Sequence, residues 1–298
     1  MGFRTLAALG VTILFWASAF AGIRVGLEAY SPGHLALLRF LVASSVLAVY
    51  AILVRMHLPE KRDIPAILLL GFLGITVYHT TLTYGEVSVT AGAASLLIAF
   101  TPICTALLAT VFLGERLRIY GWMGIAVSFL GVALIALSEG EKLQLEPGAF
   151  LILIAALSTS LYFVFLKRHL VKYSPLQITT YTIWAGTFFL LVFSPGLAQE
   201  IRVAPVDVTL AVVYLGVFPA ALAYVTWTYA LSRAPASIAA SFLNLSPVLA
   251  ILIAWVWLGE LPIFLSLIGG FFSLCGVILV NTLGIQRRCD PLIIKRHK

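Results

Sequence analysis

Pro102-Ile-Cys-Thr-Ala-Leu-Leu-Ala-Thr-Val-Phe-Leu-Gly114-Glu115 and Pro247-Val-Leu-Ala-Ile-Leu-Ile-Ala-Trp-Val-Trp-Leu-Gly259-Glu260 are the two stretches that decide the fold of this chain. They lie 145 residues apart and place proline, glycine and glutamate at the same spacing. The register continues without a gap through Gly71/Gly216, Thr81/Thr226, Thr83/Thr228, Tyr84/Tyr229, Gly124/Gly269, Ser128/Ser273, Gly131/Gly276 and Val132/Val277. Chance does not preserve a register over that length, so the sequence predicts two copies of one structural unit.

The composition indicates an all-α integral membrane protein. Hydrophobic residues make up 61% of the chain, charged residues 10%, and the mean hydropathy is +1.07, which leaves too little polar surface for a soluble domain. Apolar runs of about 20 residues, long enough to cross the hydrocarbon core, lie at 5–27, 33–54, 64–84, 91–112, 119–138, 147–167, 174–194, 206–230, 237–257 and 263–284. These runs predict ten transmembrane helices, five in each copy.

An odd number of helices per copy requires the second copy to insert upside down relative to the first. We therefore expect two inverted five-helix repeats at 1–140 and 141–285, followed by a basic tail at 286–298. Inverted repeats of this kind are typical of secondary transporters, which bind their solute near the middle of the membrane.

The distribution of Lys and Arg predicts the orientation. One predicted face holds 15 of the 19 basic residues, the opposite loops hold Arg24, Lys142 and Arg202, and Arg39 lies inside the second helix. By the positive-inside rule we expect both termini to be cytoplasmic. We expect the protein to lie in the cell inner (plasma) membrane. The net charge of +7 then reflects topology and contact with anionic lipid, and no nucleic-acid partner is expected. The first apolar run lacks a cleavage site, so it is not expected to be a removable signal.

The sequence offers no catalytic chemistry. It contains no phosphate-binding Gly-rich loop, no zinc-ligand spacing and no Gly-x-Ser-x-Gly elbow. A membrane-embedded enzyme would need a buried carboxylate pair or histidine cluster, and the spans offer neither. We expect no enzyme activity, no catalytic residue, no metal and no cofactor. The three cysteines are not expected to form a disulfide, since two lie in spans and one in the predicted cytoplasmic tail.

Several motifs resemble the drug/metabolite transporter superfamily in its form with two EamA domains. The first helix reads Leu14-Phe-Trp16-Ala-Ser18-Ala-Phe20, the second opens Ser31-Pro32 and continues Leu37-Leu-Arg39-Phe40, and the fourth helix of each copy ends Leu-Gly-Glu. The order and doubling of these motifs extend over nearly the whole chain, and the likeness is greatest to amino-acid exporters of the YddG type. The resemblance implies export of small metabolites, including amino acids, by alternating access through a central cavity. The second copy departs from the pattern at its start, so roles of Trp16 and Arg39 are not carried over to it.

Each copy carries a proline and a stripe of small residues. Pro102 and Pro247 lie near the middle of the fourth and ninth helices, where each removes a backbone hydrogen bond and kinks the helix. We predict that they form hinges or a wall of the binding site. Gly121, Gly124, Ser128 and Gly131 recur at helical spacing on the fifth helix and have counterparts on the tenth. Such stripes allow two helices to approach closely, either between the repeats or between protomers.

Polar and aromatic residues within the spans are the candidate substrate contacts. Polar groups in hydrocarbon are costly and usually face the interior of a helix bundle. We predict a cavity for an amphipathic solute that is lined by Trp16, Phe20, Tyr78, His79, Tyr162, Tyr224, Trp227 and Asn244. His79 and Tyr224 occupy equivalent positions of the two copies, and inversion would place them on opposite sides of the midplane.

A charged residue lies inside the second helix. Arg39 stands about 9 Å from the outer end of that helix at the usual rise per residue. Its side chain could snorkel outward to the membrane surface or pair with Glu28 or Glu86. We predict the pair, with Arg39 and Glu86 as a structural or extracellular-gate element.

The sequence therefore favours a secondary transporter that exports amino acids or similar metabolites by uncoupled, facilitated movement. Its partners would be a small-molecule solute and membrane lipid, and the chain would be a monomer or a weak dimer. A proton-coupled carrier for drugs or metabolites, working in efflux or uptake, is the alternative, and a non-transporting scaffold is a third class.

Overall fold

The computed structural model describes residues 2–113, 119–138, 146–234, 239, 242–279 and 282–283, and the regular elements in these ranges are all helical. In chain order they are α1 (Phe3–Gly26), α2 (Pro32–Leu53), α3 (Ile64–Gly71), a π-helical segment (Phe72–Val77), α4 (Tyr78–Gly85), α5 (Ala91–Ile98), α6 (Thr101–Leu113), α7 (Ile119–Ser138), α8 (Pro147–His169), α9 (Pro175–Leu190), α10 (Leu197–Val203), α11 (Val206–Leu215), a second π-helical segment (Gly216–Leu222), α12 (Ala223–Arg233), α13 (Ser246–Leu258) and α14 (Phe264–Leu279). Short 3₁₀ turns lie at Lys61–Asp63, Leu191–Phe193 and Phe242–Leu245.

Seven helical stretches are long and apolar enough to cross a membrane by length and composition: Phe3–Gly26, Pro32–Leu53, Lys61–Gly85, Ala91–Leu108, Pro147–His169, Pro175–Phe193 and Val206–Arg233. Shorter apolar helices cover Ile119–Ile135, Ser246–Leu258 and Phe264–Gly276. All of them fall on the runs that hydropathy identifies. The predicted tail, Glu115 and the side chain of Asn244 lie outside the described residues.

The helices depart from the expected regular spans in three places. The fourth predicted helix is two helices, because α5 ends at Ile98 and α6 begins at Thr101. The third and eighth are interrupted by π-helical segments at matching positions of the two copies. A short helix, α10, begins after Gly196, whose φ of 90° favours glycine. Average hydropathy does not register these local changes of backbone.

The small-residue stripe joins the two copies to each other. A Cβ added to Gly131 would meet the carbonyl oxygen of Gly269, and one added to Gly276 would meet the carbonyl oxygen of Gly124. Ser128 Oγ and Ser273 Oγ lie 3.3 Å apart between them. Helices α7 and α14 therefore pack backbone to backbone, and the stripe lies between the repeats.

The remaining contacts between the copies come in matched pairs. Helix α1 packs on α12 and α13, and its counterpart α8 packs on α4 and α6. Likewise α2 packs on the second π-helical segment and α9 on the first. Two units related by a twofold rotation make contacts of this reciprocal kind. The buried core consequently lies between the copies, and each of its two larger clusters contains residues of both.

Candidate functional site

A cavity lies between the two copies, and the atom-free space within it and at its open side amounts to about 650 Å³. The lining side chains come from α1, α2, α4, the α5–α6 break, α8, α12 and the start of α13: Trp16, Ala19, Phe20, Ile23, Arg39, Tyr78, His79, Leu82, Ser95, Ile98, Ala99, Thr101, Thr159, Phe163, Tyr224, Leu243 and Ser246. No Asp or Glu is among them. The surface is therefore aromatic and weakly polar, with one permanent positive charge.

Five of the predicted substrate contacts lie on this surface, namely Trp16, Phe20, Tyr78, His79 and Tyr224. Tyr162 and Trp227 are buried directly behind it: the ring of Tyr162 lies 6.4 Å from that of Tyr224, and the ring of Trp227 lies 5.4 Å from that of Trp16. These two residues support the lining rather than form it. Contact of any of these residues with a solute stays a prediction.

The cavity also contains residues that the sequence argument did not select. Thr159 and Phe163 reach it from α8, and Ser95 and Thr101 reach it from the α5–α6 break. Thr101 and Ser246 did carry a signal, because each directly precedes the proline that is repeated in the two copies. Thr159 and Phe163 carried no such signal, because neither belongs to a motif that is repeated in the first copy.

Each repeated proline lies in the first turn of a described helix. Pro102 is the second residue of α6 and Pro247 the second residue of α13. Proline is well tolerated in a first turn, where its missing N–H has no helical partner. The prediction that Pro102 kinks a continuous helix is therefore wrong, because α6 begins one residue before it. A hinge role of both prolines remains a prediction. Thr101 and Ser246 directly precede the two prolines, occupy equivalent positions in the two copies, and both line the cavity.

The π-helical segments provide acceptors for cavity side chains. Tyr224 Oη donates to the carbonyl oxygen of Gly74 at 3.2 Å, and Trp16 Nε1 donates to that of Pro219 at 3.1 Å. Gly74 and Pro219 are equivalent residues, one in each π-helical segment. Irregular turns of this kind are frequent at functional sites. Here they fix the orientation of two aromatic rings that line the cavity.

His79 and Tyr224 meet directly. His79 Nε2 lies 2.9 Å from Tyr224 Oη, and the imidazole is 3% exposed. Because the carbonyl oxygen of Gly74 can only accept, the Tyr224 hydroxyl donates to it, and His79 Nε2–H donates to the phenolic oxygen. His79 Nδ1 is then an acceptor, and it has no hydrogen-bond partner in the described part of the chain. Equivalent residues that touch must lie close to the axis that relates the copies, and their placement on opposite sides of the midplane stays a prediction.

An ion pair closes one end of the bundle. Arg24 Nε lies 3.2 Å from Glu260 Oε1, and Arg24 Nη1 donates to the carbonyl oxygen of Glu86 at 2.7 Å. Glu260 Oε2 accepts from the backbone N–H of Ala91 at 3.1 Å. These contacts connect the end of α1, the end of α4, the start of α5 and the segment after α13.

The predicted ion pair of Arg39 is not formed. Its guanidinium lies on the cavity and makes no salt bridge with Glu28 or Glu86. Glu86 is fully buried, and neither carboxylate oxygen has a hydrogen-bond partner among the described residues. Arg39 lies within α2, as expected, but the packing of α2 determines the direction in which its side chain points. Within the described ranges, no group of three or more His, Cys, Asp or Glu is placed to hold a metal ion.

Comparisons with known proteins agree with this geometry. The model of the EamA-like transporter family matches residues 5–137 and again 146–282. The chain is 47% identical over 262 residues to the uncharacterized transporter YdfC of Bacillus subtilis, covering 88% of this chain and 86% of that protein. It is 42% identical over 289 residues to a probable terminal-alkyne amino-acid exporter of Streptantibioticus cattleyicolor, covering 96% and 97%. A crystal structure aligns over 94% of this chain and 97% of its own with a TM-score of 0.65 at 20% identity, which shows a shared fold alone.

Proposed function

The chain belongs to the EamA-like transporter family, as its motifs predicted, and from this premise we propose that it exports amino acids or similar small amphipathic metabolites across the cell inner membrane. It is a multi-pass membrane transporter and not an enzyme. The observation that carries the proposal is the aromatic cavity between the two copies, where each copy contributes the start of a helix, at Thr101 or Ser246, and a π-helical segment. The relative from Streptantibioticus cattleyicolor, named a probable amino-acid exporter, supports the choice of solute class.

The proposed topology is ten transmembrane helices in two inverted repeats, 1–140 and 141–285, with both termini cytoplasmic. Reciprocal packing of α1 on α12 and of α8 on α4 supports a twofold relation between the repeats. The excess of Lys and Arg on one face supports the orientation. Alternating access would then proceed by rocking of one repeat against the other about the breaks at Pro102 and Pro247.

Movement of the solute down its own gradient is the first mechanism. No carboxylate is among the described residues that line the cavity, whereas proton-coupled carriers commonly bind solute and proton on one buried acid. A specific observation favours proton coupling as the second mechanism. Glu86 is a fully buried carboxyl group without a hydrogen-bond partner, and burial of that kind favours the neutral, protonated form.

Purified protein in sealed liposomes tests both points. Counterflow of phenylalanine or leucine above that of empty liposomes is expected, since the cavity suits an apolar side chain next to a polar head group. If transport is uncoupled, an imposed pH gradient should not drive accumulation of the solute above equilibrium. Accumulation of the solute that is lost in His79→Ala or in Glu86→Gln would contradict uncoupled transport and support proton coupling. Absence of counterflow across a panel of amino acids would contradict the proposed solute class.

The ion pair between Arg24 and Glu260 is expected to hold the outer end closed. Both side chains are partly exposed, 32% and 22%, so the pair is worth about 1 kcal/mol or less. In a background without the native cysteines, Glu260→Ala should raise labelling of a Ser95→Cys reporter by an externally added, membrane-impermeant maleimide about fivefold. Glu28→Ala is the control, because Glu28 is exposed and has no part in this contact. Equal labelling of the two variants would show that the pair does not gate the cavity.

A further inference from the structure

The guanidinium of Arg39 is a buried positive charge without a counter-ion. The residue is 3% exposed, and its buried Nε has no hydrogen-bond partner among the described residues. Its guanidinium forms no ion pair with them, and its Cζ lies 5.6 Å from the centroid of the Phe40 ring. Arginine does not lose its proton in proteins, and a buried charge that lacks a partner destabilises the fold strongly. A side chain kept in this state at a cavity wall is ready to receive an anion.

A second donor faces the same space. Thr101 is the first residue of α6, is 2% exposed, and its Oγ1 has no hydrogen-bond partner among the described residues. The first turn of a helix carries a partial positive charge, and α6 is 13 residues long. Ser246 occupies the equivalent place at the start of α13 and lines the same cavity. No acidic side chain among the lining residues competes for these donors.

The neighbouring surface indicates what kind of anion is bound. Trp16, Phe163 and Tyr224 form an aromatic wall of the cavity, with the ring centroids of Trp16 and Tyr224 5.3 Å apart. Inorganic phosphate or chloride would gain nothing from that wall. A carboxylate attached to an apolar or aromatic body would use both parts of the cavity, and its planar oxygens match the fork of a guanidinium.

We propose that Arg39, together with Thr101 at the start of α6, forms the carboxylate-binding subsite of the cavity, so that the exported solute must carry a free carboxylate. This rests on the proposed function in placing the transport site in the cavity. Arg39 is then a substrate-binding residue rather than a gate, and its charge is neutralised when the solute is bound. Amines, amides and cationic drugs of similar size are excluded as good substrates.

Matched ligands and variants test the subsite. Binding to the purified full-length protein is measured by thermal shift and by titration with phenylalanine, phenylalaninamide, 3-phenylpropionate and inorganic phosphate. For wild-type protein the two carboxylates are expected to bind about 10- to 100-fold more tightly than the amide, the usual effect of a charge-assisted hydrogen bond. Arg39→Gln should abolish this difference and leave the affinity for the amide unchanged. Thr101→Val should reduce the difference in affinity between the carboxylates and the amide several-fold. Arg202→Gln should leave that difference unchanged, because Arg202 is exposed on α10.

The outcomes separate this proposal from the proposed function. If wild type and Arg39→Gln transport phenylalanine with the same KM, the subsite is overturned while amino-acid export stands. If no amino acid is transported but 3-phenylpropionate binds in an Arg39-dependent manner, the solute assignment fails and the subsite stands. Competition by phosphate alone would overturn the choice of an organic carboxylate. If Arg39→Gln does not fold, the same binding measurements are made on Arg39→Lys. Unchanged discrimination against the amide in Arg39→Lys would contradict bidentate binding.

Discussion

Gly131→Val is expected to lower the free energy of unfolding by about 3 kcal/mol, the upper part of the usual range for overpacking a close contact. A Cβ at this position would meet the carbonyl oxygen of Gly269 and the backbone of Ser273. Backbone atoms of a helix cannot swing aside as a flexible side chain does, so α7 and α14 would have to separate. Since these helices belong to different repeats, the variant should also lose the packing that joins the repeats. Thermal unfolding in detergent and the monodisperse fraction in size-exclusion chromatography measure both effects.

Gly10→Val is the matched control for this prediction. Gly10 lies on α1, and a Cβ added there has no atom within 4 Å. The same change of residue in a helix therefore costs no close contact, and only the small difference in helix propensity remains. If Gly131→Val and Gly10→Val unfold at the same temperature, the backbone contact between α7 and α14 does not stabilise the fold, and the prediction is contradicted.

His79→Ala is expected to reduce amino-acid counterflow about tenfold or more while folding stays near normal. The imidazole holds the Tyr224 hydroxyl at 2.9 Å and packs 4.4 Å from the ring of Phe40. Removing it frees a ring that lines the cavity, and a lost hydrogen bond of about 1.4 kcal/mol corresponds to a tenfold effect. Initial rates in proteoliposomes, normalised to the amount of folded protein, measure the loss.

His169→Ala provides the comparison, because His169 ends α8 and its Nδ1 contacts only the carbonyl of Phe165 one turn earlier. Its transport rate should equal that of wild type. Tyr224→Phe should reproduce part of the His79→Ala defect, since it removes the same hydrogen bond and keeps the ring. Normal rates in both His79→Ala and Tyr224→Phe would place the solute elsewhere.

Polar candidate residues could be predicted from the sequence where an apolar helix carries an unusual side chain. Tyr78, His79 and Tyr224 were found in this way, because polar groups avoid lipid. Trp16 and Phe20 belong to the motif of the first helix. Phe163 belongs to no such motif, and phenylalanine is as suitable for facing lipid as for facing a cavity. The rotation of α8 about its axis decides this, and that rotation is set by contacts with α4 and α6.

The sequence by itself determined that this is a membrane protein of two similar halves, and where the two repeated prolines lie. These properties are local or additive: hydropathy sums along the chain, and Pro102 and Pro247 lack an N–H whatever surrounds them. Only the tertiary structure decided that His79 meets Tyr224, that Ser128 meets Ser273, and that Arg39 faces the cavity without an acidic partner. In a helix that is apolar on all sides no periodicity marks the inner face. The packing of one copy against the other therefore selects which side chains meet at their shared axis.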